Sequence, residues 1–466
     1  MDSMNNLTFD EIEVGASESL THTLTQTEIE GLALVSGDAN PFYIQEEGAT
    51  EARADVNITQ GVGAEAFISA VLGTKLPGPG MKIVEQNLRF RGTIAVGDEL
   101  TATVTAKKKQ KEGSLIVFDC QCINQDGQEL VSGTVTVSAP TKRIRYKEIT
   151  PPQLVLRRGD AFVKLFNACE GIPPVICAVV HPCDRNSLLG PIEAALRGII
   201  TLVLVGPEEK IRAVAEKEGV DLSPYRIVSV PHSHAAAEKS VELARAGEVE
   251  ALMKGSLHTD ELMAAVVPSA TGLRTSRRIS HVFVMDVPSY PRMLLVTDAA
   301  INIYPKLEEK VDIIQNAIDL AHVLGIEQPK VAILSAVETV NPKIESTLEA
   351  AALCKMADRG QIIGGILDGP LAFDNAISLE AAKIKHIVSP VAGQADILLV
   401  PDLEAGNMLA KQLSYLAGAE SAGIVLGTRV PIVLTSRADT VRSRLASTAV
   451  MALVAHARKT GKYQTG

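Results

Sequence analysis

Residues 200–220 read ITLVLVGPEEKIRAVAEKEGV. An apolar, β-branched run stops at Gly206-Pro207, and an Ala/Glu/Lys-rich helical stretch follows. A strand apolar on both faces belongs inside a covered sheet, and a helix directly after it supplies one of the covers. The same grammar recurs from about residue 156 to the C-terminus. The other apolar runs are PPVICAVVH (173–181), MLLVTD (293–298), KVAILSA (330–336), QIIGGILDG (361–369), ADILLVPD (395–402) and PIVLTS (431–436). Further helical stretches are HAAAEKSVELARAG (234–247) and EKVDIIQNAIDLAHVLG (309–325). This alternation predicts a mostly parallel sheet with helices on both faces. Such sheets place their active sites beyond the carboxyl ends of the strands, near a switch point. The polar residues ending the runs are therefore candidates: Asp298, Asp368, Asp402, Ser436 and Arg437. Simple capping of the next helix is the alternative for the Asp and Ser positions.

Upstream of about residue 140 the pattern differs. TQTEIEGLALVSGD (25–38) has Thr25 and Glu28 at capping-box spacing and Ile29, Leu32 and Ala33 on one helical face. GAEAFISAVLGTKL (63–76) reads as a second helix, ended by a Pro/Gly cluster. Four strand-like runs follow: KIVEQNLRFRG (82–92), DELTATVTAKKKQ (98–110), GSLIVFDCQCINQ (113–125) and QELVSGTVTVSAP (128–140). Leu100, Ala102 and Val104 alternate with polar residues, as in a half-covered antiparallel strand. NQDGQ (124–128) has hairpin chemistry, since Asp-Gly tolerates a positive φ. An α+β module, a sheet wrapped around a helix, is expected here. The charged, proline-bounded PTKRIRYKEITPPQ (140–153) reads as a linker.

With 466 residues the chain is too long for one ordinary core. Aromatic residues make up only 3%, and there is no Trp, which favours Ala/Val/Ile/Leu-rich α/β packing over a β-sandwich. A net charge of −10 argues against a broad nucleic-acid surface but not against a small anion held by a few local cations. No apolar stretch reaches membrane-spanning length, and residues 1–15 lack a signal-peptide core. The six cysteines (120, 122, 169, 177, 183, 354) have no scaffold or paired CxxC spacing. Buried reduced thiols, no metal and a cytoplasmic location are the expectations. Cys120 and Cys122, two apart, should share one strand face.

The run from Leu252 to Ile303, LMKGSLHTDELMAAVVPSATGLRTSRRISHVFVMDVPSYPRMLLVTDAAINI, resembles the phosphate acetyl/butyryltransferase family, closest to its butyryl branch. VNPKIESTLEA (340–350), GPLAFDNAISLEAA (369–382), SPVAGQADILLVPDLEAGNMLAKQL (389–413) and PIVLTSRADT (431–440) match in order. The resemblance implies a two-subdomain α/β fold like that of isocitrate and isopropylmalate dehydrogenases. It also implies the reversible reaction of acyl-CoA with phosphate to give acyl phosphate and CoA. That chemistry needs an anion holder, an activated nucleophile and donors for a tetrahedral oxyanion. Ser436 and Arg437 match the family's active-site pair, the Ser bonding developing charge and the Arg anchoring substrate through its planar fork. Asp439 is a candidate base or Arg-orienting carboxylate; where some relatives place a catalytic Asp, seven residues after the Ser, this chain has Ser443. Arg274 and Arg278 are candidates for phosphate or the CoA diphosphate. Asp298 and Asn302 are expected to line the inter-subdomain cleft, and Lys254 and His258 to meet phosphate or cap a helix. No metal-binding aspartate series or GxGxxG after a strand supports a dehydrogenase.

At the other end, LVSGDANPFYIQ (34–45), ITQGVGAEAFIS (58–69) and residues 76–106 resemble the MaoC-like (R)-specific enoyl-CoA hydratase family, a hot-dog fold. Its motif SGDxNPxH supplies an Asp and a His that activate water. Asp38 is present, but Tyr43 stands at the His position and Gln60 where a second His is common. A phenol, with an ordinary pKa of about 10, is a poor base at neutral pH. The expected organisation is a hot-dog domain over 1–140, a linker over 141–155 and a phosphotransacylase domain over 156–466. Acyl-CoA and phosphate are the expected partners, in a homo-oligomer. The alternatives are a truly bifunctional hydratase/transferase and a non-catalytic acyl-CoA-binding or scaffolding protein.

Overall fold

The computed structural model describes residues 3–37, 62–147, 160–435, 439–461 and 463. The chain folds as two compact units, Met1–Leu156 and Arg157–Gly466.

The first unit runs β1 (Ser3–Asn5), β2 (Ser17–Thr23), α1 (Gln26–Ser36), α2 (Val62–Thr74), β3 (Lys82–Phe90), β4 (Glu99–Gln110), β5 (Leu115–Ile123), β6 (Glu129–Ser138) and β7 (Arg145–Lys147). Five strands form an antiparallel sheet in the order β2-β4-β5-β6-β3. Leu100, Ala102 and Val104 of β4 and Cys120 and Cys122 of β5 pack with Ile68, Val71 and Leu72 of α2 in one buried cluster. This is the expected sheet around a helix, a hot-dog-like unit. Both thiols are buried, and burial pushes Cys120 up to about 12 and Cys122 up to about 11, far from thiolate chemistry. The capping box forms as read: Glu28 N–H donates to Thr25 Oγ1 at 3.3 Å and Thr25 N–H to the Glu28 carboxylate at 2.9 Å.

One boundary differs from the sequence reading. Residues 145–147, taken as linker, pair antiparallel with 3–5. The Asn6 amide clasps the same region, donating to Pro79 O and Lys142 O at 3.1 Å while accepting from Ile144 N–H at 2.7 Å. A charged three-residue strand has no apolar period to announce it, and its partner lies at the opposite end of the unit's sequence.

The second unit begins α3 (Asp160–Asn167), β8 (Val175–Val180), α4 (Arg185–Leu196), β9 (Ile200–Gly206), α5 (Glu208–Glu218), β10 (Arg226–Ser229), α6 (Ser233–Arg245), β11 (Ala251–Lys254) and α7 (Thr259–Val266). It continues β12 (Ser280–Asp286), β13 (Leu294–Thr297), α8 (Leu307–Val323), β14 (Lys330–Leu334), α9 (Glu345–Asp358), β15 (Ile366–Leu371), α10 (Phe373–Ile377) and α11 (Leu379–Ile384). β16 (Ile397–Leu399), α12 (Leu403–Tyr415), β17 (Glu420–Leu426), β18 (Ile432–Val433) and α13 (Val441–Lys459) complete it. The opening stretch behaves as its pattern requires. Leu202 and Leu204 of β9 join one buried cluster, with Ile211 and Ala215 of α5, while Val203 and Val205 join the cluster on the other face.

All eleven strands of this unit form one sheet, β10-β9-β8-β11-β18-β17-β12-β13-β16-β14-β15. The strands β10 through β18 in that order are parallel. β17 then runs antiparallel to β18, and β12 antiparallel to β17. β13 is antiparallel to β12, and β16, β14 and β15 follow β13. The two parallel halves therefore point in opposite directions. No helix among the described residues is long and apolar enough to cross a membrane.

Candidate active site

The reversal decides which candidate residues meet. The strand-end residues of the sequence reading do not converge: those after β8, β11 and β18 lie at one edge of the sheet, those after β13, β15 and β16 at the other. Seven-residue strands separate the two edges by roughly 20 Å.

At the first edge, Lys254 ends β11 and is 3% exposed. Its Nζ donates to the carbonyls of Thr435 (3.3 Å) and Gly255 (3.5 Å). This brings the end of β11 against the residue that precedes Ser436. The close packing of this strand end on β8 needs a glycine, since a Cβ on Gly255 would lie 2.4 Å from Val180 O and 2.7 Å from His181 O. Arg444 projects from α13 into the same place, 2% exposed, and its Nη1 donates to Thr435 Oγ1 at 2.7 Å. The α4 backbone at Gly190 closes over it, where a Cβ would come within 2.9 Å of Arg444 Cβ. Asp184, the N-cap of α4, accepts from Ser187 N–H at 2.9 Å. Burial raises its pKa, but the Ser187 N–H, the Ser256 and Ser187 hydroxyls and the Arg444 charge outweigh that and hold it below the ordinary Asp range. Burial lowers the Arg444 pKa, against the opposing charges of Asp439 and Asp184.

His181 completes this edge: half-buried, it holds a φ of +57° and its Nδ1 lies 2.9 Å from Ser256 O. His181, Asp184, Ser256, Thr435 and Arg444 were all missed as site residues. His181 ends the run PPVICAVVH and gave the one available signal; Arg444 is hidden in the apolar pattern of α13. Ser436 and Arg437 lie outside the described residues, but Thr435 and Asp439 flank them, the latter half-buried. Ser443 serves helix capping, its N–H donating to Thr440 Oγ1 at 3.1 Å. His258 is exposed and is the N-cap residue of α7; its N–H points to Glu261 Oε1 at 3.4 Å.

The opposite edge collects Asp298, Asn302, Arg278 and Arg274. Asp298, 2% exposed, spends its carboxylate on its own turn, accepting from Ala300 N–H (2.9 Å), Ile301 N–H (3.0 Å) and Asn302 Nδ2 (2.5 Å). Burial raises its pKa, and those donors oppose the rise. Asn302 also donates to Ile279 O at 2.9 Å and accepts from Arg278 Nε at 2.8 Å. Arg278 further pairs with Glu309 at 2.9 Å. Arg274 is exposed, with its backbone bridged to Thr428. Asp402 is the N-cap of α12, accepting from Ala405 N–H at 2.8 Å, and Asp368 accepts from Gly369 N–H at 2.8 Å. The capping alternative thus holds for Asp402. Asp38, Tyr43 and Gln60 lie outside the described residues. Among the described residues no group of three His, Cys, Asp or Glu side chains is placed to hold a metal ion.

A parallel α/β half-sheet with polar and charged side chains gathered where its strands end is the arrangement in which α/β enzymes place their active sites. Comparison with known proteins narrows this. Residues 233–452 match the model of the phosphate acetyl/butaryl transferase family, and residues 10–121 that of the MaoC-like domain. A phosphate acetyltransferase of Rhizobium meliloti is 66% identical over 296 residues, covering 64% of this chain and 94% of that protein. A phosphate butyryltransferase of Clostridium acetobutylicum is 46% identical over 278 residues, covering 60% and 92%. The crystal structure of a branched-chain phosphotransacylase from Enterococcus faecalis superposes with a TM-score of 0.53 at 29% identity, covering 60% of this chain and 99% of that one. The chain belongs to the phosphate acetyl/butyryltransferase family, with a MaoC-like domain in front. High identity to a protein with an acetyl name shows that likeness to the butyryl branch does not set acyl length.

Proposed function

We propose that the protein transfers a short acyl group between CoA and phosphate: acyl-CoA + phosphate gives acyl phosphate + CoA. The observation that carries the reading is the edge where buried Lys254 and Arg444 converge on Thr435, immediately before Ser436-Arg437. Arg437 binds phosphate, Ser436 donates to the developing oxyanion, and Asp439 balances the Arg444 charge. His258 caps α7 and borders the same edge. Arg274 and Arg278, a strand length away, can serve only the distant phosphates of CoA, whose thioester and nucleotide ends lie far apart. The two opposed halves of the sheet support the two-subdomain, isocitrate-dehydrogenase-like arrangement, and the location is the cytoplasm. Acetyl-, propionyl- and butyryl-CoA, each incubated with and without phosphate, should release thiol only with phosphate. Silence with all three would exclude the transferase and leave a binding or scaffolding role.

A second activity has a specific observation behind it, the MaoC-like match with Asp38 retained. Hydration needs a base and a proton donor, and Tyr43 replaces the imidazole. Crotonyl-CoA absorbance should fall slowly at most with the native chain, and Tyr43→His should accelerate the loss. No gain from that substitution would mean the pocket is lost, not merely its base. The hot-dog unit is also the expected oligomerisation element. β3 is an edge strand exposed on both faces, with Val84 59% and Phe90 50% exposed. Pairing two copies of β3 antiparallel about Asn87 sets Glu85 opposite Arg89. Val84→Lys should therefore reduce the particle mass measured by light scattering; an unchanged mass would place the interface elsewhere.

A further inference from the structure

The proton that must leave the CoA thiol needs an acceptor, and the carboxylate of Asp439, the earlier candidate, is set against the Arg444 charge. We propose that His181 is that acceptor, acting through Nε2; this rests on the transferase reading. The geometry has three parts. A carbonyl oxygen only accepts, so the 2.9 Å contact with Ser256 O requires the proton on Nδ1. In the neutral ring Nε2 then carries the lone pair, which is the tautomer a general base needs. Next, His181 follows directly on β8, and in the sheet only β11 separates β8 from β18. Two inter-strand spacings, roughly 10 Å, therefore separate its backbone from the end of β18, so that a thioester or acyl phosphate lying across the end of β11 can meet both. Finally, a non-glycine residue at φ +57° is uncommon and such residues concentrate at functional sites.

A continuous set of contacts holds the ring in place. His181 is bonded to Ser256, Ser256 to Asp184, Asp184 faces the Arg444 charge, and Arg444 is bonded to Thr435. The charged groups of this edge are Asp184 in the turn after His181, Lys254 and Arg444 at Thr435, and Asp439 beside Arg444. Lys210 of α5 acts on the neighbouring Cys183. In the direction of acyl-CoA formation, the thiol proton passes to Nε2 as sulfur attacks the acyl carbon and the carbonyl becomes an oxyanion. Its collapse breaks the carbon–oxygen bond to phosphate, which leaves with the bonding pair. In reverse, phosphate oxygen attacks the thioester, and the imidazolium returns its proton to the departing thiolate. No electron acceptor is involved.

Asparagine tolerates a left-handed backbone, so His181→Asn removes the base while keeping the turn. His181→Gly keeps it too and leaves room for added imidazole. With the full chain, acetyl phosphate and CoA as substrates, kcat of H181N should fall about 10²- to 10⁴-fold. The KM for acetyl phosphate should stay near the native value. Free imidazole should restore part of the H181G rate, which a merely structural bond to Ser256 would not allow. A native-like kcat in H181N overturns the assignment. So does an H181G deficit that imidazole leaves untouched. A silent native chain would sink the transferase reading itself, whereas an active native chain with an active H181N sinks only this assignment.

Discussion

Arg437→Ala should lower phosphate-dependent CoA release by at least about 10²- to 10³-fold at saturating acyl-CoA, the usual consequence of removing one preorganised charge stabiliser. β18 delivers Thr435 as a buried residue, and Lys254 and Arg444 are both directed onto it, to its carbonyl and hydroxyl respectively. Those two cations fix the strand end. In the proposed reading Arg437, two positions on in the sequence, is the cation that pairs with substrate phosphate. Arg437→Lys keeps the charge but loses the planar fork, so it should recover only part of the loss. The measurement is thiol release over a phosphate series, with thermal unfolding as a control for folding. Native turnover in Arg437→Ala would remove the residue from the mechanism.

Gly427→Ala is expected to have the largest effect on stability. Gly427 sits in the β17–β18 hairpin at φ +77°, and an added Cβ would lie 2.2 Å from Arg278 O and 3.1 Å from Ile279 Cα. Both neighbours are backbone at the entry to β12, which is bonded to β17 and β13, so they have little freedom to give way. Positive φ alone costs about 1 kcal/mol, and the clash should bring the total to about 3 kcal/mol or more. That corresponds to a fall in Tm of roughly 5–10 °C. Gly247→Ala isolates the first contribution, since Gly247 has φ +73° with nothing within 4 Å of its Cβ position. Equal losses in the two variants would show that the close approach is not tight.

Residues whose role is local were legible from one sequence. The Thr25/Glu28 box, the alternation in β4 and the doubly buried strands β8 and β9 all follow from short-range spacing, because side-chain direction has a fixed period along a helix or strand. Family motifs also named Ser436 and Arg437, which follow Thr435 in the sequence, as candidates. What failed was the assumption that strand-end residues meet. ISHVFVMD and ESAGIVL look like any other apolar runs, yet as β12 and β17 they pair antiparallel and turn the second half of the sheet around. Asp298 thereby becomes the keystone of a turn on the far edge, and Asp402 a helix cap.

The MaoC-like and transferase parts and most of their longer helices and strands were thus legible in the sequence alone, since each rests on local periodicity or on motif, and motif also named Ser436 and Arg437 as candidates. The company that Thr435, at the end of β18, keeps was decided only by tertiary structure. Lys254, Asp184, His181 and Arg444 come from four places between residues 181 and 444, and strand order, which no local pattern encodes, is what brings them to one edge.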